Sequence, residues 1–175
     1  KVSRTYLYTH PEKILEAPIE QAFQALFQRR LQKEPMAYIL GEQEFWSLPF
    51  KVTPDVLIPR PETELLVETA LAHIAQQNAM VADLGTGSGA IACALAHERP
   101  TWTLIAVDLS WPALHIAQQN AGLLRCANVS FVQSTWLNTF KENSLDAIVS
   151  NPPYIEPDDP HLRDLRYEPQ HALVA

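Results

Sequence analysis

Asn151-Pro152-Pro153-Tyr154 is the tetrapeptide with the most chemistry to offer. Its parts suit a planar NH2 group, such as an amide or an aniline-like nitrogen. The lone pair of that nitrogen is delocalised into the neighbouring π-system. It is a poor nucleophile, and simple deprotonation is very costly. What helps is to hold both N–H groups with acceptors and to present the nitrogen in line with a methyl group. The Asn151 side-chain oxygen supplies one acceptor. The Pro152 backbone carbonyl supplies the other. Pro152 and Pro153 stiffen the loop and remove competing donors. Tyr154 offers a ring face to the planar group and to a nearby cation. Catalysis in this scheme is positioning and electrostatics, without a dedicated strong base. Asn-Pro alone is a common turn opener, so the dipeptide by itself carries no such meaning.

A second cluster lies upstream. Asp83-Leu84-Gly85-Thr86-Gly87-Ser88-Gly89 follows a short apolar run, Met80 to Leu84. Glycines there let the backbone turn sharply and come close to a ligand. Asp108 ends the next apolar run, nineteen residues after Gly89. A carboxylate at that point accepts hydrogen bonds from ribose hydroxyls. Gly85, Gly87 and Ala90 also satisfy the loose dinucleotide fingerprint, so a nicotinamide cofactor stays open. Two features lean toward S-adenosyl-L-methionine. Asp83 would put a negative charge beside a pyrophosphate, whereas it suits the ammonium of a methionine tail. An acidic site also suits a sulfonium without phosphates.

These residues need elements to position them. From Met80 onward the chain alternates strand and helix. Met80–Leu84, Thr103–Val107, Val129–Val132 and Leu145–Ser150 read as strands. Ala90–His97 and Pro112–Gly122 read as helices, with Gly122 as a terminator. This rhythm predicts an α/β fold, a parallel sheet with helices on both faces. The glycine turn, Asp108 and Asn151 then all fall at carboxyl ends of strands, where such sheets bind ligands. Upstream, Ile19 to Lys33 reads as a helix closed by Pro35. Glu44 to Pro59 reads as a short hairpin rich in aromatic and β-branched residues. A helix starts at Pro61 and runs to about Ala75, with Glu62 and Glu64 complementing its dipole.

Composition narrows the classes. The net charge of −7 argues against a surface that neutralises many phosphates. Arg29, Arg30 and Lys33 form the one compact basic cluster and read as a solvated helix face. Cys93 and Cys126 lack metal-ligand spacing and read as reduced structural thiols of a cytoplasmic protein. The six histidines are scattered, so no metal site is expected. No apolar run is long enough to span a membrane.

At this point a resemblance enters. Asp83-Leu-Gly-Thr-Gly-Ser-Gly-Ala-Ile-Ala92 resembles the cofactor loop of class I S-adenosylmethionine methyltransferases. Asn151 to Tyr154 resembles the motif of their amino-methylating members, which act on DNA adenine, ribosomal RNA guanine or protein glutamine. Glu34-Pro-Met-Ala-Tyr-Ile-Leu-Gly41, Glu44-Phe-Trp-Ser47 and Leu57-Ile-Pro-Arg-Pro-Glu-Thr-Glu64 together resemble the HemK/PrmC family. That resemblance implies a Rossmann-like class I methyltransferase sheet. It implies a partial N-terminal helical region over 1–43 that docks substrate, a linking β-hairpin over 44–59, and the methyltransferase domain over 60–175. The implied reaction methylates the Gly-Gly-Gln glutamine of class 1 peptide chain release factors. The methyl donor is S-adenosyl-L-methionine, leaving S-adenosyl-L-homocysteine.

By position, the resemblance implies that Gly85, Thr86, Gly87, Ser88 and Gly89 hold the methionine portion. Asp108 holds the ribose and Trp136 lies near the adenine. Asn151, Pro152, Pro153 and Tyr154 receive the substrate glutamine, with Asn151 also beside the cofactor. Arg60 and Glu62 are candidates for shaping the pocket; the acids at this helix start are equally explained by the dipole. The chain departs from the family pattern by lacking much of the N-terminal helical domain and the strands expected after Ala175. It is also one or two residues short around His161–Arg166. The native protein is therefore expected to continue at both ends, and these residues alone are not expected to make a stable, active enzyme. A nucleic-acid amino-methyltransferase, a nicotinamide-dependent oxidoreductase and a non-catalytic binding module remain as alternatives. No direct nucleic-acid or membrane partner is expected.

Overall fold

The computed structural model describes residues 2–175. Helices α1 (Arg4–Thr9), α2 (Ala17–Leu31) and α3 (Met36–Leu40) come first. Strands β1 (Glu42–Phe45) and β2 (Leu48–Lys51) form an antiparallel hairpin. A short 3-10 turn at Pro61–Thr63 runs straight into α4 (Glu64–His73). Then follow β3 (Met80–Leu84), α5 (Ala90–Glu98), β4 (Thr103–Asp108), α6 (Trp111–Leu124), β5 (Val129–Gln133) and β6 (Ala147–Ser150).

Helix α2 stops at Leu31, before Pro35, because Lys33 takes a left-handed backbone with φ 68°. The basic cluster is not wholly a free patch. Arg29 forks onto the Glu34 carboxylate and also reaches the Tyr38 carbonyl. Arg30 donates to the Glu34 carbonyl, so both arginines fasten the end of α2. The apolar residues of α2 lie on its exposed surface, where Phe23 and Phe27 stack with ring centroids 5.9 Å apart.

The hairpin is shorter than its aromatic and β-branched composition predicts. It ends at Lys51, and residues 52–60 carry no strand pairing. Its turn is Trp46-Ser47, both with positive φ, at 54° and 55°. That is the twist a two-residue hairpin loop requires. Two acids hold the turn. Glu64 accepts the Trp46 backbone N–H, and Glu98 accepts its indole N–H.

The main sheet is parallel throughout, in the order β5-β4-β3-β6. Its first face packs Val81 and Leu104 against Val67, Ile91, Leu95 and Ala121 from α4, α5 and α6, with Phe45 and Phe50 of the hairpin. The second face, Ala82, Leu84 and Val107, packs against Val132, Phe140 and Leu145. No helix contributes to that second cluster among the described residues. The expectation of helices on both faces is therefore corrected. β3-α5-β4 and β4-α6-β5 step in the same direction across the sheet. Right-handed crossovers put both helices on one face. The return to β6 runs through residues 134–146, which form no helix.

Gly122 does not terminate α6. The helix continues to Leu124 and stops at Arg125, whose φ of 58° turns its N–H back onto the Ala121 and Gly122 carbonyls. Cys93 and Cys126 are buried and unpaired. The Cys126 thiol points at the Cys93 carbonyl, 3.6 Å away. Their contact and burial push the Cys93 thiol up in pKa, in keeping with a structural role.

Candidate active site

The site is built where β3, β4 and β6 end. The first turn after β3 is held from below. Gly85 and Thr86 both donate their N–H to the Val107 carbonyl at 2.9 Å, and Gly89 donates to the Thr86 carbonyl at 2.8 Å. Gly87 takes φ 55°, and its N–H meets Asp108 Oδ2 at 2.9 Å. Gly89, the residue that opens α5, takes φ 80°. A Cβ there would stand 3.1 Å from the Ala117 Cβ, so glycine also lets α5 and α6 close together. A Cβ at Gly85 or Gly87 would meet no protein atom within 4 Å. Both point into open space, as a cradle for a ligand requires.

Asp83 is completely buried beneath this turn. Its Oδ2 accepts the Thr86 hydroxyl at 2.6 Å and the Ala92 N–H at 3.2 Å. Its Oδ1 is buried with no hydrogen-bond partner among the described residues. Burial pushes the carboxyl up to about 6; the Thr86 and Ala92 bonds oppose this, and the nearby Asp108 charge adds to it. An orphaned, buried carboxylate oxygen is costly unless a donor or cation reaches it. Asp108 Oδ1 accepts the Ser110 N–H at 2.9 Å, so each Asp108 oxygen carries one bond from the chain.

Asn151 follows β6. The Ser150 hydroxyl donates to the Leu84 carbonyl at 2.8 Å, tying the end of β6 to the end of β3. The Asn151 side-chain NH2 donates to the Thr63 hydroxyl at 3.3 Å. Its oxygen has no bond to the protein among the described residues.

Two cavities meet at this point. The smaller, about 180 Å³, is lined by Gly85, Gly87, Asp108, Trp136, Asn151 and Pro153, among others. The larger, about 830 Å³, is lined by Arg60, Glu62, Thr63, Asn151, Pro152, Pro153 and Tyr154, among others. Asn151 and Pro153 are part of both walls. Of the residues singled out in the sequence, Asp83, Thr86, Ser88 and Gly89 line neither cavity. They build the turn from behind. Trp136 is half exposed, with φ 51°. Tyr154 is 75% exposed, its ring open on the larger cavity. Among the described residues no Lys or Arg lines the smaller cavity, while Asp55 and Asp108 do. That wall suits a cationic ligand and disfavours a pyrophosphate. With the Asp83 Oδ1 and the open glycines, the residues present fit S-adenosyl-L-methionine.

Three further residues escaped the sequence reading. Asn120 on α6 is fully buried and donates to the Lys51 and Ser88 carbonyls, at 3.0 and 2.8 Å. It also accepts the Lys51 N–H at 2.8 Å, joining hairpin to glycine turn. Its signal was available: it falls in register with Ala113, Ile116 and Ala117 on the buried face of α6. Glu168 is buried and binds the Arg60 guanidinium at 2.5 Å and the Ile58 N–H at 3.1 Å. Thr63 is the partner of Asn151. Thr63 falls within the Leu57–Glu64 motif, where Arg60 and Glu62 drew the attention; Glu168 has no local signal, because its partner Arg60 lies 108 positions away.

Together these features define a Rossmann-like α/β protein with a ligand cleft at the carboxyl ends of its parallel strands. Residues 61–163 match the family described as Methyltransferase small domain, and residues 1–41 match the PrmC N-terminal domain. A release factor glutamine methyltransferase of Vibrio cholerae is 53% identical over 175 residues, covering 98% of this chain and 61% of that protein. The protein of the same name in Coxiella burnetii is 49% identical, covering 100% of this chain and 64% of that one. That of Escherichia coli is 48% identical, covering 98% and 63%. The chain spans about three-fifths of the length of these relatives. It belongs to the methyltransferase small domain family. No helix of the described residues is long and apolar enough to cross a membrane.

Proposed function

We propose that the protein transfers a methyl group from S-adenosyl-L-methionine to the glutamine side chain in the Gly-Gly-Gln motif of class 1 peptide chain release factors. One observation carries the reading: Asn151 and Pro153, with Leu57 and Ala172, form the wall shared by the two cavities. A group gripped by this elbow from the larger cavity faces the smaller one. The bound cofactor supplies an activated methyl carbon.

The chain does the rest by holding groups in place. Asp108 and the Gly85–Gly89 turn hold the cofactor, with Trp136 beside its base. Asp83, at the floor of the turn, complements the positive ammonium. The Asn151 oxygen and the Pro152 carbonyl accept the two N–H groups of the substrate amide, which fixes the nitrogen's lone pair toward the methyl carbon. Tyr154 covers the flat face of the amide. As the nitrogen gains positive charge, the two acceptors stabilise it, and its proton leaves to water. Residues 1–43 dock the protein substrate, 44–59 link, and 60–175 carry the chemistry. A release factor as substrate assigns the reaction to the cytoplasm.

The test uses the full-length protein, including whatever continues beyond these residues, with methyl-labelled cofactor and a class 1 release factor. Label is expected on the wild-type factor, and none on a factor whose Gly-Gly-Gln glutamine is replaced by alanine. Equal labelling of both factors ends the proposal. So does an Asn151→Ala variant that works at undiminished rate.

A further inference from the structure

We infer that Asn120 is a positioning residue for the cofactor, holding the outer limb of the glycine turn in its binding shape from outside both cavities. The inference rests on the cofactor assignment and not on the choice of methyl acceptor. Asn120 lies on α6 and is fully buried. Its side-chain oxygen accepts the Lys51 N–H at 2.8 Å. Its NH2 gives one proton to the Lys51 carbonyl at 3.0 Å and the other to the Ser88 carbonyl at 2.8 Å. A backbone N–H only donates and a carbonyl only accepts. One orientation of the amide therefore satisfies all three partners, and the reverse satisfies none.

The turn needs such a hold. Gly87 and Gly89 take left-handed backbones, which glycine can also leave at little cost. The inner limb is well fastened: Gly85 and Thr86 donate to the Val107 carbonyl, and the Thr86 hydroxyl donates to Asp83. The outer limb, Gly87 and Ser88, has two bonds to the rest of the chain among the described residues. One is the Gly87 N–H on Asp108, the acid that the cofactor's ribose also requires. The other is Asn120 on Ser88. Ligand binding draws on the first and leaves the second in place. Ser88 is itself buried, which keeps water from replacing the amide.

The same face of α6 supports the end of the turn, because Ala117 stands so close to Gly89 that a Cβ there would be 3.1 Å away. Asn120 takes its own orientation from the opposite side. Lys51 ends β2 and gives both its backbone groups to the amide, a two-point pairing like that of two peptide groups. The hairpin, 69 positions away in the chain, thus has a part in the cofactor site, although Lys51 and Asn120 line neither cavity. The fold sets the turn before any ligand arrives, which is preorganisation by supporting residues.

The experiment uses the full-length protein and S-adenosyl-L-homocysteine as the probe. Asn120→Asp keeps the shape and offers at most one donor to two carbonyls. Its affinity for the probe, read by calorimetry, is expected to fall about 10-fold or more. Without ligand, the amides of Gly85–Gly89 are expected to exchange with deuterium about 10-fold faster in this variant, while those of Val81 and Ala82 keep their wild-type rates. A residue that served folding alone would lower the melting temperature without weakening the probe or singling out the turn. Lys51→Pro removes the N–H that orients Asn120, whereas Lys51→Ala removes the side chain alone. Lys51→Pro is expected to bind the probe about threefold or more weaker than Lys51→Ala. An Asn120→Asp affinity within about twofold of wild type overturns the inference, as does turn exchange no faster than wild type. Where Asn120→Asp does not fold, equal affinities in the two Lys51 variants overturn it. A wild type that does not bind the probe sinks the cofactor assignment, and the exchange rates still decide whether Asn120 holds the turn.

Discussion

Gly87 and Asp108 are joined across the top of the sheet: the Gly87 N–H donates to Asp108 Oδ2 at 2.9 Å. The acid at the end of β4 thus shapes the glycine turn as well as facing the cavity. Its other oxygen holds the Ser110 N–H. An ionised carboxylate has about four lone-pair sites, so two stay available for two ribose hydroxyls. Asp108→Ala removes both functions. Its affinity for S-adenosyl-L-methionine is expected to fall about 10- to 100-fold by calorimetry. An unchanged affinity would show that the ligand's ribose lies elsewhere.

Asp83 makes stability depend on pH in a stated direction. Its carboxyl is raised from 3.8 to about 6 in the fold. Between those values the native protein holds a proton that the unfolded chain has released. Stability from this group is therefore full below about pH 4 and lost as pH rises through 6, by on the order of 3 kcal/mol. Asp83→Asn is expected to flatten that part of the profile, measured as melting temperature against pH. Cofactor binding is expected to run the opposite way, tightening as pH rises through about 6, because a charged Asp83 attracts the ammonium. A wild-type profile parallel to that of Asp83→Asn contradicts the assignment.

Arg60 and Glu168 stand 108 positions apart and meet in a half-buried ion pair. Glu168→Ala strands the Arg60 charge and the Ile58 N–H, at an expected cost of about 2–4 kcal/mol. Arg60→Met leaves a buried carboxylate short of its partner and should cost a similar amount. The double variant is expected to cost less than the two added together, by about 1 kcal/mol or more. Denaturant unfolding of the four proteins gives the coupling, and strict additivity would deny it.

Ser47 is the site of an expected gain. It sits in the hairpin turn at φ 55°, where a Cβ is strained. Ser47→Gly relieves that strain and gives back some unfolded-chain entropy. The balance is a stabilisation of about 0.5–1 kcal/mol, visible as a raised melting temperature. Trp46→Gly is expected to destabilise instead, because the indole N–H bond to Glu98 is lost.

The strands of the main sheet were legible in the sequence because each is a short apolar run ended by a turn signal. Met80–Leu84 and the glycines after it are local features, decided within ten residues. The placement of the glycine turn, Asp108 and Asn151 at strand ends followed from the same local rhythm. Local order also misled. Gly122 has the type of a helix terminator, yet the packing of α6 carries the helix past it to Arg125. The one-sided cover of the sheet was out of reach, since it depends on strand order, and strand order is not written in any single segment.

By itself, then, the sequence determined the elements and the chemical types at the ends of the strands. Those come from backbone preference and apolar spacing, which act over a few residues. Only the tertiary structure decided that the Asn151 amide meets the Thr63 hydroxyl, that Asp83 keeps an unpartnered oxygen under the turn among the described residues, and that Glu168 and Asn120 bind the pieces together. Each of these depends on a contact between residues far apart in the chain. Such contacts exist only once the apolar faces have packed and fixed the distances between them.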